Sequence, residues 1–169
     1  NMPEATRDAF TEDGYLRTGD IGEIEDGFVR ITDRKKDLII TSGGKNIAPQ
    51  KIEGTFKFDP LFEHVVVIGD RRKYLTALFN LNPLQSELLA EKAGIEFDSP
   101  ESLLENPRFL EVVDQHVAER NRLLARYETI KQYRIIKHPF SPETGELTVS
   151  LKLKRNVVLK RHNELIESM

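Results

Sequence analysis

The 169-residue chain is long enough for one ordinary domain, or for one domain with the tail of another. Its formal net charge of -3 and hydrophobic fraction of 38% exclude a strongly basic nucleic-acid binder and a disordered segment. It has no cysteine and no long apolar run, which excludes a disulfide scaffold, a thiol nucleophile, a cysteine-ligated metal site and a membrane-spanning helix. In chain order, the opening Asn1-Met2-Pro3-Glu4 has no apolar signal-peptide core and reads as the middle of a longer protein. Residues 1 to 33 predict short strands and turns, with hairpin signals at Asp13-Gly14 and Asp26-Gly27. Ile21 to Ile31 forms two strands around the second of these. Asp33-Arg34-Lys35-Lys36-Asp37 is a charged run without an apolar residue and predicts a boundary or hinge.

Leu38-Ile39-Ile40 predicts a short strand that ends at the flexible turn Ser42-Gly43-Gly44. Pro49 suits the first turn of a helix whose buried side carries Ile52, Thr55 and Phe56. His64 to Ile68 and Leu75 to Leu81 are β-rich runs that pair across the charged turn Gly69 to Tyr74. Residues 83 to 127 predict three helical pieces, because Asn82-Pro83, Ser99-Pro100 and Asn106-Pro107 each set a cap residue before a first-turn proline. Gly94 ends the first piece, and Phe109, Leu110, Val113, Val117, Leu124 and Tyr127 recur at helical spacing in the last. Tyr133 to Ile136 returns to strand, Pro139 to Gly145 is a loop, and an amphipathic helix from about Asn156 to Glu167 buries Val157, Val158, Leu165 and Ile166. Mixed strands and helices with short connections define an α+β class: a small mixed sheet flanked by helices.

Three clusters carry chemistry. In Gly14-Tyr15-Leu16-Arg17-Thr18-Gly19-Asp20, an aspartate after a Thr-Gly turn can offer two carboxylate oxygens to a ribose diol, or simply cap its own turn. In the second, Arg34 can bond a ribose or phosphate, and the glycines of Thr41-Ser42-Gly43-Gly44-Lys45-Asn46 let a ligand approach the backbone. A Walker phosphate loop is excluded: Asn46 follows Lys45, and Ile39 stands where the template needs its first glycine. A solvated charged loop with a tight turn also fits. The third runs from Thr144 to Arg155, in a basic stretch where Lys152 to Arg161 holds five Lys/Arg and no acid. A lysine on a mobile loop there can offset charge on a phosphoryl group in flight, or be no more than a solvated stretch leading into the last helix.

In this order the clusters resemble the adenylate-forming superfamily of acyl-CoA synthetases, adenylation domains and luciferases. The strings are GYLRTGD, RITDRKKDLIITSGGKNIAPQKIE and LTVSLKLKR. The resemblance covers nearly the whole chain, most firmly residues 11 to 56 and 147 to 155. It implies that residues 1 to 35 are the β-rich end of a large AMP-binding domain. Residues 36 to 169 are then a mobile C-terminal lid with a helical insertion at about 83 to 127, which resembles the long-chain fatty acid–CoA ligase branch. In such enzymes a carboxylate attacks the α-phosphorus of ATP to give an acyl-adenylate and pyrophosphate, and the coenzyme A thiolate then takes the acyl group as AMP leaves.

Carried over by position, Asp20 and Arg34 bind the nucleotide, and Lys36 is the hinge. Ser42, Gly43 and Gly44 line the coenzyme A path, where a Cβ at Gly44 would narrow the passage. The usual Thr-Gly-Lys fails, since Glu146 follows Thr144-Gly145. Lys152 and Arg155 restore the Lys-to-Arg spacing, so Lys152 is the adenylation lysine and Lys154 the second choice. The resemblance implies ATP/AMP and coenzyme A as substrates, Mg2+ entering with ATP without ligands from this chain, and no metal site of the chain's own. It implies the large N-terminal domain and a fatty acid as partners, no nucleic acid, and a cytoplasmic location extending to the membrane periphery. The phosphate loop and acyl pocket of the family lie upstream of residue 1, so the chain alone is expected to be inactive. Two rivals stand beside this: an adenylating enzyme serving a carrier protein or other nucleophile, and a stand-alone interaction domain.

Overall fold

The computed structural model describes residues 2–169; Asn1, at the start of the expected 1 to 35 segment, lies outside the described residues. The chain opens with a short helix, α1 (Pro3–Asp8), where strands and turns were expected. Its cause is local. Pro3 takes the first helical position, Glu4 and Arg7 complement the helix ends, and the Thr6 hydroxyl donates to Met2 O at 3.0 Å. None of its residues is buried, so no apolar periodicity announced it. The hairpin β1 (Asp20–Glu25) and β2 (Phe28–Arg34) follows, antiparallel around Asp26-Gly27. Both turn residues have left-handed φ (52° and 83°), the conformation that twists a two-residue turn to match its strands. The charged run is therefore divided: Asp33 and Arg34 belong to β2, and Lys35–Asp37 make a single 3-10 turn.

Two-residue strands β3 (Ile39–Ile40) and β4 (Asn46–Ile47) form a small hairpin, and Pro49 opens α2 (Pro49–Lys57) as expected. Pro49, Ile52 and Phe56 are buried on α2, and so is Glu53; Thr55 is half-buried with its hydroxyl on Lys51 O. Then come β5 (Phe62–Ile68), β6 (Leu75–Leu81), α3 (Pro83–Lys92), α4 (Pro100–Leu103), α5 (Pro107–Asn121) and β7 (Ile130–Ile135). Asn82, Ser99 and Asn106 each accept a backbone N–H at the start of their helix, so the three Pro-led starts fall where the sequence set them. Helix α5 stops at Asn121, leaving Leu124 and Tyr127 in the following turns.

Strands β5, β6 and β7 form the central mixed sheet, with β5–β6 antiparallel and β6–β7 parallel. Every residue of β6 is buried, because both faces of the sheet are covered. On one face Val65, Val67, Ala77 and Phe79 join Ile52 and Phe56 of α2 and Phe109 and Val113 of α5. Phe56, Phe62 and Phe79 form the centre, with ring centroids 4.7–5.3 Å apart. On the other face Val66 and Leu78 meet Phe140, Leu147, Val158 and Ile166. The period-2 alternation of β5 and β6 thus feeds two cores from adjacent residues. The closing helix is two pieces, α6 (Arg155–Arg161) and α7 (Asn163–Glu167), divided at His162. Val158 and Ile166 are buried as expected, while Val157 and Leu165 face solvent.

Candidate functional site

Asp20 and Arg34, fourteen positions apart in sequence, are brought together by the β1–β2 register, which pairs them directly. The Arg34 guanidinium lies 2.8 Å from Asp20 Oδ1 and donates to Thr18 O at 3.3 Å. The Thr18-Gly19 turn is closed by the Thr18 hydroxyl accepting from Asp20 N–H and by Gly19 O accepting from Lys35 N–H. Carboxylate and guanidinium therefore sit side by side at the open end of the hairpin, a pairing that orients both for polar recognition.

Immediately next to this pair, Asp33 is buried. Its carboxylate accepts the Arg34 N–H at 2.6 Å and, at 3.1 Å, the N–H of Gln50 at the N-terminus of α2. A carboxylate at a helix N-terminus meets unpaired N–H groups and the positive end of the helix dipole. Asp33 thus ties the end of β2 to the start of α2, bridging over the exposed Lys36. In the sequence it read as one charge in a solvated run; nothing local marks its partner.

Ser42, Gly43 and Gly44 form the exposed tip of the β3–β4 hairpin. Thr41 closes the loop: its N–H donates to Lys45 O, its carbonyl accepts from Gly44 N–H, and its hydroxyl accepts from Lys45 N–H. Gly44 has φ +74°, which favours glycine, and a Cβ there would meet no atom of this chain. Within this chain the requirement for glycine is conformational.

Lys152 is exposed near the tip of a second tight hairpin. Leu147 bridges Leu153, Thr148 N–H donates to Lys152 O at 2.8 Å, and Lys152 N–H donates to the Thr148 hydroxyl at 3.0 Å. Leu151 takes a left-handed φ of 59° to close the turn. At the base, Lys154 N–H donates to Glu146 O at 2.7 Å. Arg155 anchors the assembly: its guanidinium donates to Val67 O at 3.0 Å and pairs with the buried carboxylate of Glu53. Burial pushes the Glu53 carboxyl up, against the opposing pull of Arg155 and the Val67 N–H. The sequence offered Arg155 only as a spacing, because its partner lies 102 positions away. Among the described residues no hydrogen bond or ion pair joins Lys152 to Asp20, Arg34 or the Ser42–Gly44 loop.

The architecture is that of a small α+β module presenting two exposed, hydrogen-bonded loop tips and a paired carboxylate and guanidinium. Residues 36–169 match the model of the AMP-binding enzyme C-terminal domain. The chain belongs to this family of AMP-binding enzyme C-terminal domains. It is 37% identical over 98% of its length to the long-chain-fatty-acid–CoA ligase FadD15 of Mycobacterium tuberculosis. It is 35% identical over 99% of its length to the human long-chain-fatty-acid–CoA ligase ACSBG1. The chain spans only 28% and 26% of those two proteins. Among solved structures, the adenylation domain of a carboxylate reductase from Mycobacterium chelonae superposes with a TM-score of 0.75. It is 28% identical, with 99% of this chain and 25% of that chain covered. No helix among the described residues is long and apolar enough to cross a membrane.

Proposed function

We propose that this chain is the C-terminal part of a long-chain fatty acid–CoA ligase. The complete enzyme turns ATP, a fatty acid and coenzyme A into acyl-CoA, AMP and pyrophosphate through an acyl-adenylate. The observation that carries this proposal is the 37% identity with a long-chain-fatty-acid–CoA ligase along 98% of the chain. Residues 1 to 35 are the end of the large nucleotide-binding domain, and residues 36 to 169 are a lid that turns about Lys36 between the two half-reactions. In the first, Asp20 accepts hydrogen bonds from the ribose hydroxyls, and Arg34, 2.8 Å from it, also contacts the ribose or adenylate. Lys152 brings its ammonium to the α-phosphate, where it offsets the charge that develops as the carboxylate attacks and pyrophosphate departs. In the second, the lid presents Ser42, Gly43 and Gly44 beside the path of the coenzyme A thiol.

Support comes from the exposure of Lys152 on a loop whose base is fixed by Arg155 and Glu53, the build expected of a cation delivered to another domain. Mg2+ enters with ATP and takes no ligand from this chain. The enzyme works in the cytoplasm, in peripheral contact with membranes that hold its fatty acid. The complete enzyme tests the proposal directly: pyrophosphate release must depend on a fatty acid, and acyl-CoA must form when coenzyme A is present. No pyrophosphate release with any organic acid would overturn it. The chain by itself forms no acyl-CoA, because it spans little more than a quarter of the ligases it matches. A second acceptor is favoured by one finding: an A-PCP didomain of a carboxylic acid reductase from Segniliparus rugosus superposes with a TM-score of 0.74 at 28% identity. Comparing coenzyme A with a carrier-bound thiol as acceptor separates the two.

A further inference from the structure

On the sheet face opposite α2, three side chains from three separate segments converge. His138 follows β7, Glu146 begins the lysine hairpin, and His162 sits at the break between α6 and α7. His138 Nε2 lies 3.1 Å and His162 Nε2 3.6 Å from Glu146 Oε1. Ligand atoms around a tetrahedral zinc-class ion sit roughly 3.3–3.6 Å apart, given metal–ligand bonds of about 2.0–2.2 Å.

The three segments are held in place independently of these side chains. The Asn80 amide donates to His138 O at 2.8 Å and to Ile136 O, and its carbonyl accepts the Phe140 N–H. Lys154 N–H donates to Glu146 O, and His162 N–H donates to Val158 O. The two imidazoles are stacked, with centroids 5.5 Å apart.

A shared proton does not satisfy this group. His138 can donate to Glu146 Oε1, but Glu146 Oε2 and His162 Nε2 are buried without a hydrogen-bond partner. Glu146 is fully buried and His162 is 9% exposed. Imidazole nitrogen and carboxylate oxygen are donors that bind a zinc-class ion. Arg161 is the competitor: its guanidinium lies 3.0 Å from Glu146 Oε1 and also donates to Thr144 O. That side chain is half-exposed and able to move aside, and His138 is open enough to admit an ion.

We propose that His138, Glu146 and His162 form a site for a divalent transition-metal ion of the zinc class, with the two imidazole Nε2 atoms and a Glu146 carboxylate oxygen as protein ligands. Nitrogen and mixed nitrogen–oxygen donors select zinc, cobalt or nickel over magnesium. An ion there would fasten the base of the lysine hairpin to the end of α6.

Calorimetric titration of the chain with zinc chloride tests the site, with magnesium chloride as the control and cobalt absorption as the report of coordination geometry. Saturable one-to-one zinc binding, a rise in Tm and a tetrahedral cobalt spectrum are expected. His138→Gln, at the least buried of the three positions, should weaken zinc by about tenfold or more, a loss that even outer-shell changes produce. Arg161→Gln should tighten it by removing the competing cation. His116→Gln, at an imidazole engaged with Asp59 elsewhere, should leave affinity unchanged. Absence of saturable zinc binding overturns the proposal, as does equal binding in wild type and His138→Gln, or loss in His116→Gln alone.

Discussion

Two antiparallel hairpins of nearly equal length behave as opposites in this molecule. β1 and β2 run for six and seven residues, β5 and β6 for seven each. In the first pair Ile24, Phe28, Val29 and Ile31 are exposed, Phe28 by 80%. In the second, every residue of β6 is buried. Backbone pairing is the same in kind, so the difference lies in what covers the side chains. A two-stranded ribbon is marginal alone, whereas a strand with helices on one face and a hairpin and helices on the other carries the fold.

The largest effect should come from breaking the covered pair. Phe79→Ala removes a fully buried ring from the Phe56–Phe62 cluster and should cost about 3–5 kcal/mol in chemical denaturation. Phe28→Ala in the exposed pair should change stability by less than about 0.5 kcal/mol. Arg155→Met leaves the Glu53 carboxylate buried and unpaired and should cost about 3 kcal/mol by the same measurement. Lys152→Ala separates stability from chemistry. Folding should hold within about 0.5 kcal/mol. In the complete enzyme, the adenylation half-reaction should fall about 100- to 1,000-fold, with the thioester step from pre-made acyl-adenylate largely spared. Equal loss in both steps would end the assignment.

Asp33→Asn weakens the tie between the exposed hairpin and α2 and should cost about 1–2 kcal/mol. Trypsin should then cut faster at Lys35 and Lys36 while the β5–β6 region stays protected. The smallest change in folding is expected at the glycine tip. Gly43 lies outside the left-handed region and a Cβ there would meet only Thr41 Oγ1 at 4.0 Å, so Gly43→Leu probes steric blockage without strain. It should slow the thioester step more than adenylation. Gly44→Leu adds backbone strain from its φ of +74° and should lose stability as well.

Features written by neighbours in sequence were legible in it. Asp26-Gly27 sets its turn through two left-handed residues, and the three Asn-Pro or Ser-Pro pairs start three helices. Helix α1 and the break at His162 were missed because neither is marked by apolar periodicity. The two loop tips and the Asp20–Arg34 pair were named from family strings, and the register explains why the pair meets. Asp33, Glu53, Arg155 and Asn80 were invisible as partners. Each is satisfied by groups 14 to 102 positions away, a distance over which no local pattern speaks.

The contact between Asp33 and the start of α2 has a mechanical consequence. If the chain turns at Lys36 as proposed, it cannot swing freely while the carboxylate three residues earlier holds the N–H of Gln50, fourteen residues later. Each turn would either drag the last residues of β2 along or break that contact and remake it. The buried acid would then act as a detent between the two proposed poses.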